Sequence, residues 1–261
     1  MLIPIKGDHQ IRMLARETVL KRKVAGKRTH DQLIAANVDT LFIVTSCDQD
    51  FSLSRIERYL ALAYEVGINP VIILTKSDLT NFSESFVKKV LGLGSELLVK
   101  SINAKDKRSL TSLRRLCAEG HTIALVGSSG VGKSTLVNGL ANADQMTSSV
   151  SKGNGKGQHT TTSRSLHLLR DGGILIDTPG IRELQLSDSE TGIEDTFEDV
   201  TQFIGYCKFN DCTHQTEKRC AINSALQSGE LNRRRWESFQ KLQNEQKLRG
   251  TLKYNKNRAR K

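Results

Sequence analysis

The chain has 261 residues, 37% of them hydrophobic, which suffices for one domain of ordinary size with a packed core and a small accessory piece. Its formal net charge of +11 favours polyanionic partners, nucleic acid first. The longest apolar runs, Val71 to Leu74 and Ile123 to Val126, are too short to span a bilayer, and the start MLIPIKGDHQ lacks the features of a secretory signal, so the expectation is a cytoplasmic protein without a membrane partner.

In chain order, residues 2–16 alternate apolar and polar about Gly7-Asp8, a hairpin signal that cannot be a stable domain by itself. A basic cluster follows at Lys21-Arg22-Lys23 and Lys27-Arg28. From residue 39 the pattern becomes α/β. Apolar strand-like runs fall at Thr40–Thr45, Pro70–Thr75, Glu96–Ser101, Thr122–Val126, Ser165–Leu169 and Gly173–Asp177, and helical periodicity covers Leu53 to Val66 and Leu110 to Cys117. Such alternation implies a parallel-type sheet covered on both faces, with ligands beyond the carboxyl ends of its strands. Residues 147–164, rich in Gly, Ser, Thr and Lys, read as a mobile loop. Past residue 200 comes a Cys/His segment, then a basic helix with Trp236, Phe239 and Leu242 on one side and Arg233, Arg234 and Arg235 adding charge. The tail after Glu245 carries seven basic residues and no acid, and reads either as a disordered end or as a nucleic-acid contact. Cys47 and Cys117 read as buried small hydrophobes.

The strongest chemical signal is Gly127-Ser128-Ser129-Gly130-Val131-Gly132-Lys133-Ser134, followed by Thr135. It matches G-x-x-x-x-G-K-[ST] between the strand TIALV and a helical segment. Glycines let backbone N–H groups converge on phosphate oxygens, and the helix N-terminus favours negative charge. Lys133 reaches the β and γ phosphates, and the Ser134 hydroxyl ligates Mg²⁺. Asp177-Thr-Pro-Gly180 supplies a carboxylate for the Mg²⁺ shell and a Gly180 N–H for the γ-phosphate. His159-Thr160-Thr161-Thr162 resembles a switch loop whose threonine hydroxyl joins the Mg²⁺ shell; Thr161 is favoured, with its neighbours as rivals. Thr75-Lys76-Ser77-Asp78 ends another strand. Its aspartate can accept from the guanine N1–H and amino group, a donor pair adenine lacks, and the lysine stem can cover the base. The usual pattern has Asn where this chain has Thr75. Ser101-Ile-Asn103-Ala104 is a weaker element that can offer a backbone N–H to the guanine O6. These base motifs precede the phosphate motifs, the reverse of the usual order, so the fold expected is a circularly permuted P-loop GTPase. The glutamine that usually follows the DxxG glycine is replaced by Ile181, which leaves His159 as the candidate catalytic group for orienting the attacking water. Cys207-x4-Cys212-x-His214-x5-Cys220 supplies three thiolates and an imidazole, the ligand set of a closed structural zinc site with one Zn²⁺ per chain.

The strings QLIAANVDTLFIV, LTKSDL, GSSGVGKSTLVN, GQHTTT, IDTPGIREL and CKFNDCTHQTEKRCAI resemble the small-ribosomal-subunit-dependent, circularly permuted GTPases (RsgA, also called YjeQ) over about residues 12–245. The resemblance implies an OB-fold remnant at residues 1–25, a permuted GTPase domain at 26–200 and a zinc-binding domain at 201–261. It implies GTP, GDP, Mg²⁺ and Zn²⁺ as ligands, the 30S subunit and its 16S rRNA as partners of a monomer, a catalytic role for His159, and zinc ligation by Cys207, Cys212, His214 and Cys220. The family's OB-fold has about five strands, and only a last hairpin is expected here. Two other classes are weighed against this one: a P-loop ATPase or small-molecule kinase, opposed by Thr75–Asp78, and an RNA-binding zinc protein that holds GTP as a structural ligand, which Ile181 keeps in play.

Overall fold

The computed structural model describes residues 2–4, 11–23, 31–141, 165–177 and 190–258. They fall into two compact units, one comprising Met1–Leu53 and Val66–Gln185, the other Ser54–Glu65 and Leu186–Lys261.

The first unit opens with two short antiparallel pairs. Strand β1 (Leu2–Pro4) pairs with β2 (Ile11–Met13), as the alternation predicts, in the register Leu2↔Met13; the Gly7-Asp8 turn lies outside the described residues. A second pair, β3 (Val19–Lys23) with β4 (Asp31–Ala36), was not expected from the sequence, because VLKRK has no clean alternation and its register shifts between Leu20 and Lys21.

The main sheet has six strands: β5 (Thr40–Ser46), β6 (Asn69–Thr75), β7 (Leu98–Ser101), β8 (Thr122–Val126), β9 (Ser165–Leu168) and β10 (Ile174–Asp177), in the spatial order β7-β6-β5-β8-β10-β9. All neighbours are parallel except β9, which runs antiparallel to β10 at the edge. Strand β5 is buried throughout and β6 from Val71 onward, which is why both read as unbroken apolar runs. The strand expected at Glu96–Ser101 begins two residues later, since the Leu97 N–H turns back to the Gly94 carbonyl at 3.3 Å.

Helices α2 (Ser83–Leu91), α3 (Thr111–Arg114) and α4 (Lys133–Ala141) complete this unit. The segment expected to be helical to Cys117 stops at Arg114. Leu116 and Cys117 then donate to residues three back, a tighter winding that ends the helix. The core gathers Phe42, Ile73, Leu113, Ile123, Leu136 and Leu175 among others. Cys47 and Cys117 are unpaired and buried, and burial pushes their thiols up to about 11 and about 12 respectively.

The second unit contains α1 (Leu53–Glu65, of which it takes Ser54–Glu65), α5 (Glu190–Thr196), α6 (Glu198–Ile204), α7 (Ala221–Ser228) and α8 (Arg233–Arg258). Helices α1 and α5 approach closely: a Cβ on Gly192 would lie 2.0 Å from the Ala61 carbonyl oxygen, so only glycine fits there. Trp236, Phe239 and Leu242 are buried on one side of α8, as their spacing predicts. Arg235 departs from the sequence reading. It is 2% exposed rather than part of a charged face. Its Nη1 donates to Glu57 at 2.7 Å, its Nη2 to the Thr196 carbonyl at 2.7 Å, and its Nε to Asp199 at 2.9 Å. Glu57 is fully buried and also accepts from Arg234 at 2.9 Å and Ser238 at 2.5 Å. A carboxylate can sit there because cationic and hydroxyl donors surround it. The basic tail is helical in its backbone as far as Arg258.

Candidate nucleotide site and metal centre

The carboxyl ends of β5, β6, β7, β8 and β10 lie at one end of the parallel sheet, and the loops leaving them carry the motifs. The loop after β8 runs through Gly127, Gly130 and Gly132 at φ 145°, 78° and 96°. Gly127 has a steric reason as well, since a Cβ would meet the Val44 carbonyl oxygen at 2.1 Å. Val131 anchors the loop by burying its side chain in the core. Lys133 Nζ donates to the Gly127 carbonyl at 2.8 Å and the Ser128 carbonyl at 2.5 Å, so its ammonium is held under the loop. Ser134 and Thr135 lie in the first turn of α4, while Ser129 and Gly130 are exposed at the loop's crest.

Thr75 is completely buried. Its hydroxyl lies 2.5 Å from the Val131 carbonyl and 3.2 Å from the Thr45 carbonyl. This gives a physical account of the departure noted in the sequence: a short hydroxyl at this strand end ties the base-motif loop to the phosphate loop. Lys76 follows in the left-handed region at φ 58°, and a 3-10 turn, Ser77–Leu79, presents Asp78 exposed. The Ser77 N–H donates to the Ile102 carbonyl and the Ile102 N–H to the Leu74 carbonyl, so the loops after β6 and β7 are stitched together. Ser101 ends β7, and Asn103 is fixed by its N–H to Ser109 Oγ and by accepting from the Lys105 N–H. Ala104 packs partly against the core.

Two residues that the motif reading missed stand in the loop after β5. Asp48 accepts from Lys76 Nζ at 2.8 Å, from Ser46 Oγ at 2.7 Å and from the Asp50 N–H at 2.9 Å, while Asp50 accepts from the Ser128 hydroxyl of the phosphate loop. Burial opposes ionisation of Asp48, yet these donors hold its carboxyl below the ordinary range. The sequence signal was the pair of acids in Cys47-Asp48-Gln49-Asp50 directly after a buried strand.

Asp177 ends β10, is 5% exposed, and has its carboxyl pushed up by burial against the opposing fields of Lys133 and His167. A buried carboxylate disfavoured as an anion is suited to a hard cation, so this donor fits Mg²⁺. His159, Thr161 and Gly180 lie outside the described residues, as does the loop 147–164 expected to be mobile.

In the second unit, the ligand atoms of Cys207, Cys212, His214 and Cys220 all lie within 4.8 Å of one another. His214 Nδ1 is 3.5 Å from both Cys207 Sγ and Cys220 Sγ. Ordinary Zn–S and Zn–N lengths in a tetrahedron give S···N edges of about 3.6 Å, so the cluster fits the metal. Burial works against the Cys207 thiolate, but the N–H groups of Ala221 and Ile222 and the facing thiols bring it below its ordinary value. Burial pushes Cys212 up to about 11, with the neighbouring thiols adding to the rise. Burial lowers His214, which favours the neutral ring a metal needs. Cys220 also caps α7, its sulfur accepting from the Asn223 N–H.

A family model described as RsgA GTPase matches residues 13–187. A protein of Vibrio parahaemolyticus named small ribosomal subunit biogenesis GTPase RsgA 2 is 49% identical over 248 residues, covering 94% of this chain and 69% of that protein. One of Mesorhizobium japonicum named small ribosomal subunit biogenesis GTPase RsgA is 49% identical over 238 residues, 90% of this chain and 68% of the relative. Among solved structures, YjeQ from Thermotoga maritima shares the fold at a TM-score of 0.63 and 24% identity, covering 89% of this chain and 76% of that one. YloQ, described as a circularly permuted GTPase, matches at a TM-score of 0.58 and 25% identity, over 87% of this chain and 79% of its own.

Proposed function

The chain belongs to the RsgA GTPase family and is a GTP hydrolase that takes GTP, GDP and Mg²⁺; on that premise we propose that it acts in late maturation of the 30S ribosomal subunit, in the cytoplasm, as a monomer that contacts 16S rRNA. The observation that carries the site assignment is the knot of contacts among three strand-end loops: Thr75 to Val131, Lys76 to Asp48 and Ser128 to Asp50. It links base reading to phosphate binding in one preorganised cradle.

In this reading the backbone N–H groups of residues 128–133 hold the α and β phosphates, aided by the N-terminal end of α4, and Ser134 and Thr135 lie beside them. Lys133 leaves the loop carbonyls for the β and γ phosphates. Asp78 reads the guanine edge, Lys76 lies along the base, Asp48 fixes its ammonium, and Ser77, Ser101, Asn103 and Ala104 close the base pocket. Gly180 offers its N–H to the γ-phosphate. Ser134, Asp177 and Thr161 hold Mg²⁺, which when bound neutralises charge on the phosphate oxygens. His159 orients the water that attacks the γ-phosphorus, and the leaving group is the β-phosphate oxygen of GDP. Because Ile181 supplies no water-orienting amide, turnover is slow until the small subunit brings His159 to the γ-phosphate. Cys207, Cys212, His214 and Cys220 hold one structural Zn²⁺. The functional domains are 1–25, 26–200 and 201–261, the last carrying the basic surface for RNA.

The reading is tested by sedimenting the chain with purified small subunits. Co-sedimentation with a non-hydrolysable GTP analogue, and its loss with GDP, is the expected result; equal recovery with both nucleotides, or with neither, counts against it.

A further inference from the structure

The zinc cluster carries on its outside a feature that neither metal binding nor nucleotide chemistry uses. Cys207 is flanked by Tyr206, 81% exposed, and by Lys208 and Phe209, the latter 45% exposed. The Lys208 ammonium sits 5.3 Å over the Phe209 ring. Neither ring joins the aromatic cluster of this unit, which is built from Phe197, Trp236 and Phe239, with the His214 ring against Trp236. In a chain with only 5% aromatic residues, two exposed rings within four positions are conspicuous, because they forgo burial. The backbone beneath them is braced: the N–H groups of Tyr206 and Cys207 donate to the Phe203 and Ile204 carbonyls, that of Cys212 donates to the Phe209 carbonyl, and the sulfurs of Cys207 and Cys212 gather with His214 and Cys220 within 4.8 Å of one another.

Charge around the pair is mostly positive. Lys208, Lys218 and Arg219 are exposed. Of the nearby acids, Glu217 is engaged internally, accepting from the Thr213 hydroxyl and the N–H groups of Thr213, Gln215 and Thr216, which leaves Asp211 as the exposed carboxylate of the turn. Rigid aromatic faces beside cations are the chemistry that receives an unpaired base: the ring stacks on the base and the ammonium meets the backbone phosphate. A double helix offers such rings no base face, so the surface selects single-stranded RNA.

We propose that Tyr206 and Phe209 form a stacking platform for an unpaired base of RNA, with Lys208 on the adjacent phosphate. This rests on the reading of the chain as a small-subunit maturation factor and names the residues by which the zinc module grips its RNA.

The test uses the full, zinc-loaded chain and two probes, a short unstructured RNA and the same strand in a duplex. Replacing each ring by alanine removes one stacking partner, an expected weakening of about fivefold to a hundredfold per ring for the single strand. The double variant Tyr206→Ala/Phe209→Ala should lose single-strand binding and change little with the duplex, while Tyr206→Phe and Phe209→Tyr should bind as the wild type does. Phe82→Ala, which removes a ring 71% exposed in the other unit, should have no effect. Zinc content and Trp236 fluorescence must stay at wild-type values, showing that the module is intact. Unchanged single-strand binding in the double variant overturns the proposal. So does a double variant that loses purified small subunits while keeping the RNA strand, since the rings would then face a ribosomal protein. If the wild-type chain fails to bind small subunits yet needs both rings for the strand, the maturation reading falls and the platform stands.

Discussion

Replacement of Arg235 by alanine removes the guanidinium that satisfies the fully buried Glu57 carboxylate, the Thr196 carbonyl and both oxygens of Asp199. Breaking a buried ion pair by deleting one partner costs roughly 3–5 kcal/mol, because the surviving charge has no water to turn to. Arg234 and Ser238 remain on Glu57, so the loss should fall near the lower end, about 3 kcal/mol. The cation also lies 4.3 Å from the Phe197 ring centre, and that contact goes too. Trp236, the single tryptophan of the chain, is the neighbouring residue and reports unfolding of this unit directly. In urea a loss of 3 kcal/mol shifts the midpoint by about 1–3 M. The internal comparison is Arg58, whose bidentate pair with Glu245 at 2.7 and 2.8 Å is about a quarter exposed; Arg58→Ala should cost under about 1 kcal/mol. A cycle of Arg235→Gln with Glu57→Gln should return a coupling of about 1–3 kcal/mol. If Arg235→Ala costs no more than Arg58→Ala, the buried network does not stabilise this unit and the reasoning fails.

Thr75→Val keeps the volume but strips the buried Val131 carbonyl of its hydroxyl partner, and should cost about 1–3 kcal/mol with a matching loss of GDP affinity, read by titration with a fluorescent guanine nucleotide. Gly127→Ala drives a methyl into the Val44 carbonyl oxygen and should abolish nucleotide binding outright, where Gly205→Ala, with open space around it and an ordinary φ of −65°, should leave binding intact. Cys212→Ser, or treatment with a strong chelator, should release one zinc per chain and change Trp236 emission through its edge contact with His214, while guanine-nucleotide titration continues to give a phosphate-loop site. His159→Ala should bind GTP normally and lose subunit-stimulated turnover; retention of full stimulated turnover would remove the catalytic assignment.

The parts of the fold that could be read from the chain are those imposed by local constraints. Strands β5, β6 and β8 showed as apolar runs because the sheet buries them, β10 showed although only Leu175 and Asp177 of it are fully buried, and the phosphate loop showed because its backbone path demands glycine at Gly127. The cysteine and histidine cluster was legible because its four residues fall within fourteen positions, and the fold gathers their ligand atoms within 4.8 Å of one another. What stayed hidden depends on residues far apart in sequence. Asp50 meets Ser128 across 78 positions, and Glu57 meets Arg235 across 178. Glu57 lies in a segment legible only as a helical period, and Arg233, Arg234 and Arg235 read alike as added charge; only the packing of α1 against α8 buries Glu57 and Arg235 together, while Arg233 stays exposed. Helices α5, α6 and α7 span seven or eight residues each, too short for a period to stand out.

Guanine specificity and activation by the small ribosomal subunit are both read in one assay, phosphate release from GTP by the purified chain, with and without purified small subunits and with ATP as control. GTP turnover should be slow for the chain alone and rise roughly tenfold or more when the subunits are added, with no turnover of ATP. Equal turnover of ATP, or a GTP rate that the subunits leave unchanged, would contradict the proposed function.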